Sequence, residues 1–222
     1  MARPETAILM EKYLLFCKEN PFGFVDEQLE KVESDIINPR DGIVSDAYVD
    51  FTLWMRGLKS RQEYFAEKIE KVLPQAKYQK LLEVGCGRTA GLSKLLAAKG
   101  YEMTAMDPQL IPESVEKYQE YHINCVKDAF IFGKTDITAF DAVVAQEPCD
   151  AAEHIIRECI VRRKDFVGSL CGVAHRLMNG EMPKDVYAWY DYLEKLGGDD
   201  CILIRSRMVP GYVSHVMVGI FS

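Results

Sequence analysis

The sequence predicts an α/β protein in which a helical segment precedes a mostly parallel β-sheet. Residues 1–75 carry apolar residues at helical spacing, whereas from about residue 78 short apolar runs alternate with helical stretches. The last two apolar runs, 201–209 and 212–221, are separated only by Pro210 and Gly211. This turn leaves no room for a crossover helix, so the two runs should form a hairpin with an antiparallel last strand.

Four amphipathic stretches make up the helical segment. Their bounds are 4–20, 26–36, 45–58 and 60–73, and Ser45 is suited to cap the third. We expect the aromatic residues Tyr48, Phe51 and Trp54 to pack in a helical core. The predicted domains are 1–75, a helical segment that covers the ligand cleft, and 76–222, the sheet domain.

Five further apolar runs predict the strands that precede the hairpin. They span 80–84, 102–107, 123–126, 141–146 and 166–172, and a helical stretch follows most of them. Strand–helix alternation of this kind is typical of a parallel sheet with crossover helices.

Composition narrows the possible functions. The chain has 222 residues, a formal net charge of −7 and no long basic run, which makes nucleic acid a poor candidate partner. The first residues contain charges throughout and no signal-peptide core, and every apolar run is far shorter than a membrane span. The sequence therefore predicts a cytoplasmic protein without a membrane partner, and it leaves the oligomeric state open.

The cysteines form no recognisable binding motif. They stand at 17, 86, 125, 149, 159, 171 and 201, without a C-x-x-C pair. The expectation is small buried residues or reduced thiols, with no disulfide framework and no metal site.

A glycine-rich turn follows the first predicted strand, in "LLEVGCGRTAG" at 81–91. Gly85 and Gly87 allow a tight turn and a close approach of a ligand to the backbone. The spacing through Ala90 fits the permissive dinucleotide fingerprint, and Asp107, at the end of the second strand, is placed to grip a ribose. The turn therefore suits either a dinucleotide pyrophosphate or the methionine end of S-adenosylmethionine.

Glu83 favours the second ligand. A carboxylate two residues before Gly85, directed toward the turn, would repel a pyrophosphate in a low-dielectric crevice. It would attract the ammonium and sulfonium groups of S-adenosylmethionine.

Residues 78–222 resemble class I S-adenosylmethionine-dependent methyltransferases in the order and spacing of their motifs. The motifs that carry the resemblance are "EVGCGRTAG", "TAMD", "KDAF" and "FDAVVAQEPCD", followed by the terminal hairpin. The resemblance implies a Rossmann-like, seven-stranded, mostly parallel sheet with an antiparallel last strand. It also implies that the cofactor is S-adenosyl-L-methionine. The implied cofactor-binding residues are Glu83, Gly85, Cys86, Gly87, Thr89, Asp107, Pro108, Asp128, Ala129 and Gln146.

Substrate residues are less defined. The stretch "QEPC" at 146–149 stands where amino-group methyltransferases often carry N-P-P-Y, so the acceptor class does not carry over. Glu147, Cys149 and His175 are the substrate-side candidates, and no catalytic residue is named. Asp150 and Glu153 match a D-x-x-E capping box.

The expected function is methyl transfer to an unidentified acceptor, a small molecule in preference to a protein side chain. Two alternatives stay open: a non-catalytic module that binds S-adenosylmethionine, and an NAD-dependent oxidoreductase. The oxidoreductase tolerates the glycines but fits poorly with Glu83 and the closing hairpin.

Overall fold

The computed structural model describes residues 4–19, 24, 26–37, 45–116, 122–209 and 212–221. They fall into two compact units, Met1–Arg61 and Gln62–Ser222. No helix among the described residues has the length and apolar character that crossing a membrane requires.

The described part of the first unit contains three helices: α1 (Pro4–Glu19), α2 (Asp26–Ile37) and α3 (Asp46–Met55). The N-cap of α3 is Ser45, whose Oγ accepts a hydrogen bond from the Tyr48 amide at 3.2 Å, as predicted. Phe16 and Phe51 are fully buried, with ring centroids 5.3 Å apart. Of the three aromatic residues expected in a helical core, Phe51 lies in the buried cluster of this unit, and Tyr48 and Trp54 are partly buried against it.

The second unit contains the remaining helices and all the described strands. The helices are α4 (Arg61–Val72), α5 (Gly91–Ala98), α6 (Pro112–Glu116), α7 (Ala151–Arg162) and α8 (Val186–Gly197), with a short 3-10 turn at Gly198–Asp200. The strands are β1 (Lys80–Val84), β2 (Glu102–Met106), β3 (Asn124–Val126), β4 (Ala142–Gln146), β5 (Asp165–Leu170), β6 (Cys201–Val209) and β7 (Tyr212–Gly219). The part of the second predicted helix beyond α6, at 117–121, lies outside the described residues.

The strands described form one mixed sheet in the order β3-β2-β1-β4-β5-β7-β6. The first five are mutually parallel, while β7 pairs antiparallel with both β5 and β6. The predicted hairpin is therefore confirmed, and its second strand lies inside the sheet between β5 and β6. Both faces of the parallel part are covered, which explains the nearly continuous apolar character of its strands.

Side chains of β1 alternate between two apolar clusters. Leu82 and Val84 pack in the cluster that includes residues of α7 and α8, whereas Leu81 packs with α4 and α5. Glu83 follows the same alternation as Leu81, because successive side chains of a strand point to opposite faces. This alternation places Glu83 on the α5 side of the sheet.

The predicted domain boundary at 75/76 differs from the boundary between the two compact units, which lies between Arg61 and Gln62. Helix α4 accounts for the difference. Its apolar residues Phe65 and Ile69 are fully buried in the same cluster as Leu81, so the helix is part of the sheet unit.

Candidate functional site

The glycine turn after β1 adopts a backbone that L-residues rarely take. Gly85 has φ +73° and Gly87 has φ +66°. The Gly85 amide donates to the Met106 carbonyl at 2.9 Å, which anchors the turn to the end of β2. A Cβ at Gly85 would lie 3.0 Å from the Pro148 Cα, whereas one at Gly87 would meet nothing within 4 Å. A side chain at position 85 would therefore clash with Pro148, whereas position 87 faces open space.

Asp107 is held rigidly opposite this turn. Its Oδ2 accepts from the Gly87 amide at 3.0 Å, and its Oδ1 accepts from the Gln109 amide at 2.7 Å. A carboxylate can accept about four hydrogen bonds, so each oxygen can still accept one from a ligand hydroxyl.

A cavity of about 690 Å³ lies at the carboxyl edge of the parallel strands. This size and position are usual for a ligand site in an open α/β sheet. A smaller cavity of about 360 Å³ lies along α8 and includes no residue from a strand end.

Eight predicted site residues line the larger cavity, and five do not. Those that line it are Gly85, Gly87, Asp107, Pro108, Asp128, Ala129, Glu147 and Cys149. Those absent from its lining are Glu83, Cys86, Thr89, Gln146 and His175. A ligand contact at any of these positions stays a prediction.

Glu83 is buried behind the turn instead of facing the cavity. Its carboxylate accepts a short hydrogen bond from the Ser93 hydroxyl in α5, and only 2% of the residue is exposed. Burial raises the pKa of the Glu83 carboxyl from 4.5 to about 7; the Ser93 hydrogen bonds oppose this rise and nearby Asp107 adds to it.

The other predicted residues outside the lining have structural surroundings. Cys86 packs in a small apolar cluster with Ala90 and Ala105, and burial raises the pKa of its thiol above the ordinary value. Thr89 is buried in the turn. The Oε1 atom of Gln146 is buried and has no hydrogen-bond partner among the described residues.

The "QEPC" stretch after β4 contains two strained residues. Glu147 has φ +53° and Cys149 has φ +51°, values that cost roughly 1 to 3 kcal/mol for residues other than glycine. The Glu147 amide donates to the Ser169 carbonyl at 2.7 Å, which ties this loop to β5. Strain of this kind is often found at functional loops.

The predicted capping box at the start of α7 is wrong. The Asp150 side chain makes no capping hydrogen bond, and its Oδ1 lies 3.3 Å from His175 Nδ1. Glu153 is buried and accepts from the Tyr192 hydroxyl at 2.6 Å and the Met178 amide at 2.8 Å. Both acids therefore bind tertiary partners in preference to the helix terminus.

Several residues that line the cavity carry no sequence motif for a binding role. Phe130 and Ile131, which follow the predicted Asp128 and Ala129, supply apolar surface, and His154 of α7 reaches the cavity. His154 Nδ1 accepts from the Phe132 amide at 3.1 Å, so the neutral ring carries its proton on Nε2. The signal for Phe130 and Ile131 was their position directly after Asp128 and Ala129, which the sequence predicts to bind the cofactor.

The cavity lining is acidic. It includes the carboxylates Asp107, Asp128, Glu147 and Asp150, and the described lining contains no lysine or arginine. A partly enclosed cleft with charges of one sign favours ligands of the opposite charge.

Comparison with solved structures identifies the fold. Magnesium protoporphyrin IX methyltransferase from Synechocystis PCC 6803, solved with bound SAM, is similar over 100% of this chain and 99% of its own, at 13% identity and a TM-score of 0.54. The same enzyme with bound SAH matches 95% of this chain and 99% of its own, at 13% identity and a TM-score of 0.53. The PH0226 protein from Pyrococcus horikoshii OT3 matches 73% of this chain and 91% of its own, at 18% identity and a TM-score of 0.50.

These matches show that the chain has the Rossmann-like methyltransferase fold, as the sequence motifs predicted. No protein-family model matches the sequence, and no curated protein matches it. At identities of 13% to 18%, the likeness extends to the fold and not to the substrate.

Proposed function

We propose that this protein is an S-adenosylmethionine-dependent methyltransferase. The observation that carries the proposal is the acidic cavity in which the glycine turn and Asp107 face each other. Two structures that share the fold are of a methyltransferase with SAM or SAH bound, which supports the same cofactor here.

The charge of the cavity supports S-adenosylmethionine over a dinucleotide. Four carboxylates but no lysine or arginine line the described walls, so a pyrophosphate would meet repulsion without a permanent cation to offset it. An ammonium and a sulfonium would meet attraction instead. We therefore assign the preference for a cationic ligand to these four carboxylates and not to Glu83, which does not line the cavity.

Different lining residues would bind different parts of the cofactor. Asp107 is placed to accept hydrogen bonds from the ribose hydroxyls, and the open space at Gly87 admits the methionine part. Phe130, Ile131 and Asp128 would border the adenine. Cofactor chemistry supplies an already activated methyl group, so the protein's work is to align the acceptor and exclude water.

The acceptor is approached from the side of β4, where Glu147 and Cys149 line the cavity. We propose a small molecule as acceptor, in keeping with the cavity's size. The cover role of residues 1–75 stays a prediction.

Calorimetric titration with S-adenosylmethionine, S-adenosylhomocysteine and NAD in parallel tests the proposal. The first two should bind and NAD should not. Asp107→Asn should weaken the first two by about 10- to 100-fold, because a charged hydrogen-bond acceptor is lost. Glu83→Gln should weaken them less, since Glu83 does not line the cavity. Binding of NAD alone would contradict the proposal.

Turnover separates an enzyme from a binding module. With a panel of small acceptors, the wild type should convert S-adenosylmethionine to S-adenosylhomocysteine faster than the Asp107→Asn variant does. Tight binding without turnover across the panel would favour the non-catalytic module.

A further inference from the structure

Two thiols and an imidazole meet at the carboxyl edge of β4 and β5. Cys149 follows β4, and Cys171 directly follows the neighbouring parallel strand β5. Their Sγ atoms lie 3.7 Å apart. One ligand atom from each of Cys149, Cys171 and His175 lies within 4.8 Å of the other two. We call these three residues the thiol–imidazole cluster.

We propose that the thiol–imidazole cluster is a zinc site, in which Asp150 orients the imidazole. Two cysteines and one histidine are a ligand set that Zn²⁺ prefers, and three protein ligands leave one coordination position for water or a bound molecule.

The sulfur separation fits this metal. Tetrahedral zinc with bonds of about 2.3 Å to each sulfur holds the two sulfurs about 3.8 Å apart, close to the 3.7 Å observed. A disulfide would require about 2.05 Å. The two thiols are therefore spaced for joint ligation and not for a covalent bond.

The histidine has the partner that metal-bound imidazoles usually have. Its Nδ1 lies 3.3 Å from Asp150 Oδ1, and its Nε2 is buried without a hydrogen-bond partner among the described residues. With Nδ1 donating to the carboxylate, Nε2 carries the lone pair that a metal ion needs. The ring also packs against Trp189, with centroids 5.3 Å apart, which limits its rotation.

The backbone holds both sulfurs in place. Cys149 has a strained φ of +51°, and the Cys171 carbonyl accepts from the buried Tyr190 hydroxyl at 2.6 Å. The Cys149 thiol also donates to the Glu147 carbonyl at 3.3 Å, and a bound metal would add to these contacts in offsetting the strain at Cys149. Because Cys149 and Asp150 also line the main cavity, the zinc would lie at its wall, within reach of a thiol or other soft ligand bound there.

Cobalt(II) is the probe, because thiolate-bound tetrahedral cobalt absorbs strongly in the near ultraviolet and visible. It is added to the full chain, free of metal and of affinity tag, in a phosphine reductant that keeps thiols reduced. The proposal predicts about one cobalt per chain, a thiolate charge-transfer band, tetrahedral visible bands, and displacement by zinc.

Matched variants locate the metal. Cys149→Ser, at an exposed position, should lose part of the charge-transfer band and weaken cobalt binding by about 100-fold or more. Asp150→Asn should keep the band but bind about 10-fold more weakly, because both thiolates remain while the orienting carboxylate is lost. Cys17→Ser, in the other compact unit, should match the wild type. Circular dichroism establishes that each variant is folded.

Three results would overturn the proposal: no cobalt band in the reduced wild type, an octahedral spectrum without thiolate absorption, or a band that survives unchanged in Cys149→Ser. None of these results depends on S-adenosylmethionine binding.

Discussion

Replacement of Glu83 by glutamine should raise the free energy of unfolding at neutral and alkaline pH. At acidic pH, where Glu83 is itself neutral, the two proteins should have similar stability. The Glu83 carboxyl is 2% exposed, and its pKa rises from 4.5 to about 7 in the folded protein, chiefly through burial. A group whose pKa is higher in the folded state stabilises that state fully below its unfolded pKa. The stabilisation is then lost as the pH rises through the folded pKa.

The size of the effect follows from the pKa difference. Ionisation of Glu83 in the folded protein costs about 3 kcal/mol. The wild type therefore loses about this much free energy of unfolding, mostly as the pH rises from 4.5 to 7. Glutamine stays neutral and can still accept from Ser93. The free energy of unfolding of Glu83→Gln, relative to wild type, should therefore rise by about 2 to 3 kcal/mol between pH 5 and pH 8.5.

Urea denaturation of both proteins at several pH values measures this difference. Glu102→Gln is the matched control, because Glu102 stands on the neighbouring strand with a side chain 67% exposed. Its pH profile should parallel that of the wild type. A Glu83→Gln profile that also runs parallel to the wild type would refute the claim that Glu83 ionises unfavourably in a buried position.

Other substitutions test the turn and the core. Gly87→Ala should cost about 1 kcal/mol for its positive φ alone, and Gly85→Ala about 1 to 2 kcal/mol more, because its Cβ would meet Pro148 at 3.0 Å. Equal losses of unfolding free energy in the two variants would contradict this ranking. Tyr78→Phe removes a buried 2.6 Å hydrogen bond to the Asp165 carboxylate and should cost about 1 to 3 kcal/mol. A melting temperature unchanged from wild type would show that this bond contributes nothing.

The sheet was predictable because each of its strands is a short apolar run between clear turn signals. The Pro-Gly pair between the last two apolar runs predicted the antiparallel end, and the glycines after β1 predicted the edge at which the cavity lies. Local periodicity carries this information without knowledge of distant contacts.

Tertiary contacts decide what the sequence could not show. Strand alternation places Glu83 on one face of the sheet. The sequence does not reveal that the Ser93 hydroxyl lies on that face and donates a hydrogen bond to the Glu83 carboxylate, which does not line the cavity. The amphipathic face of α4 could have packed on helices as readily as on the sheet. Cys149 and Cys171 meet only because β4 and β5 are neighbours, so their spacing along the chain gives no metal signature.

A crystal grown with S-adenosylhomocysteine would show where the cofactor binds. We expect the adenosyl group in the acidic cavity, with the ribose hydroxyls on the Asp107 carboxylate and the amino-acid part over Gly87. Density for the ligand elsewhere on the molecule, or an anion such as phosphate lodged over the glycine turn in its place, would contradict it.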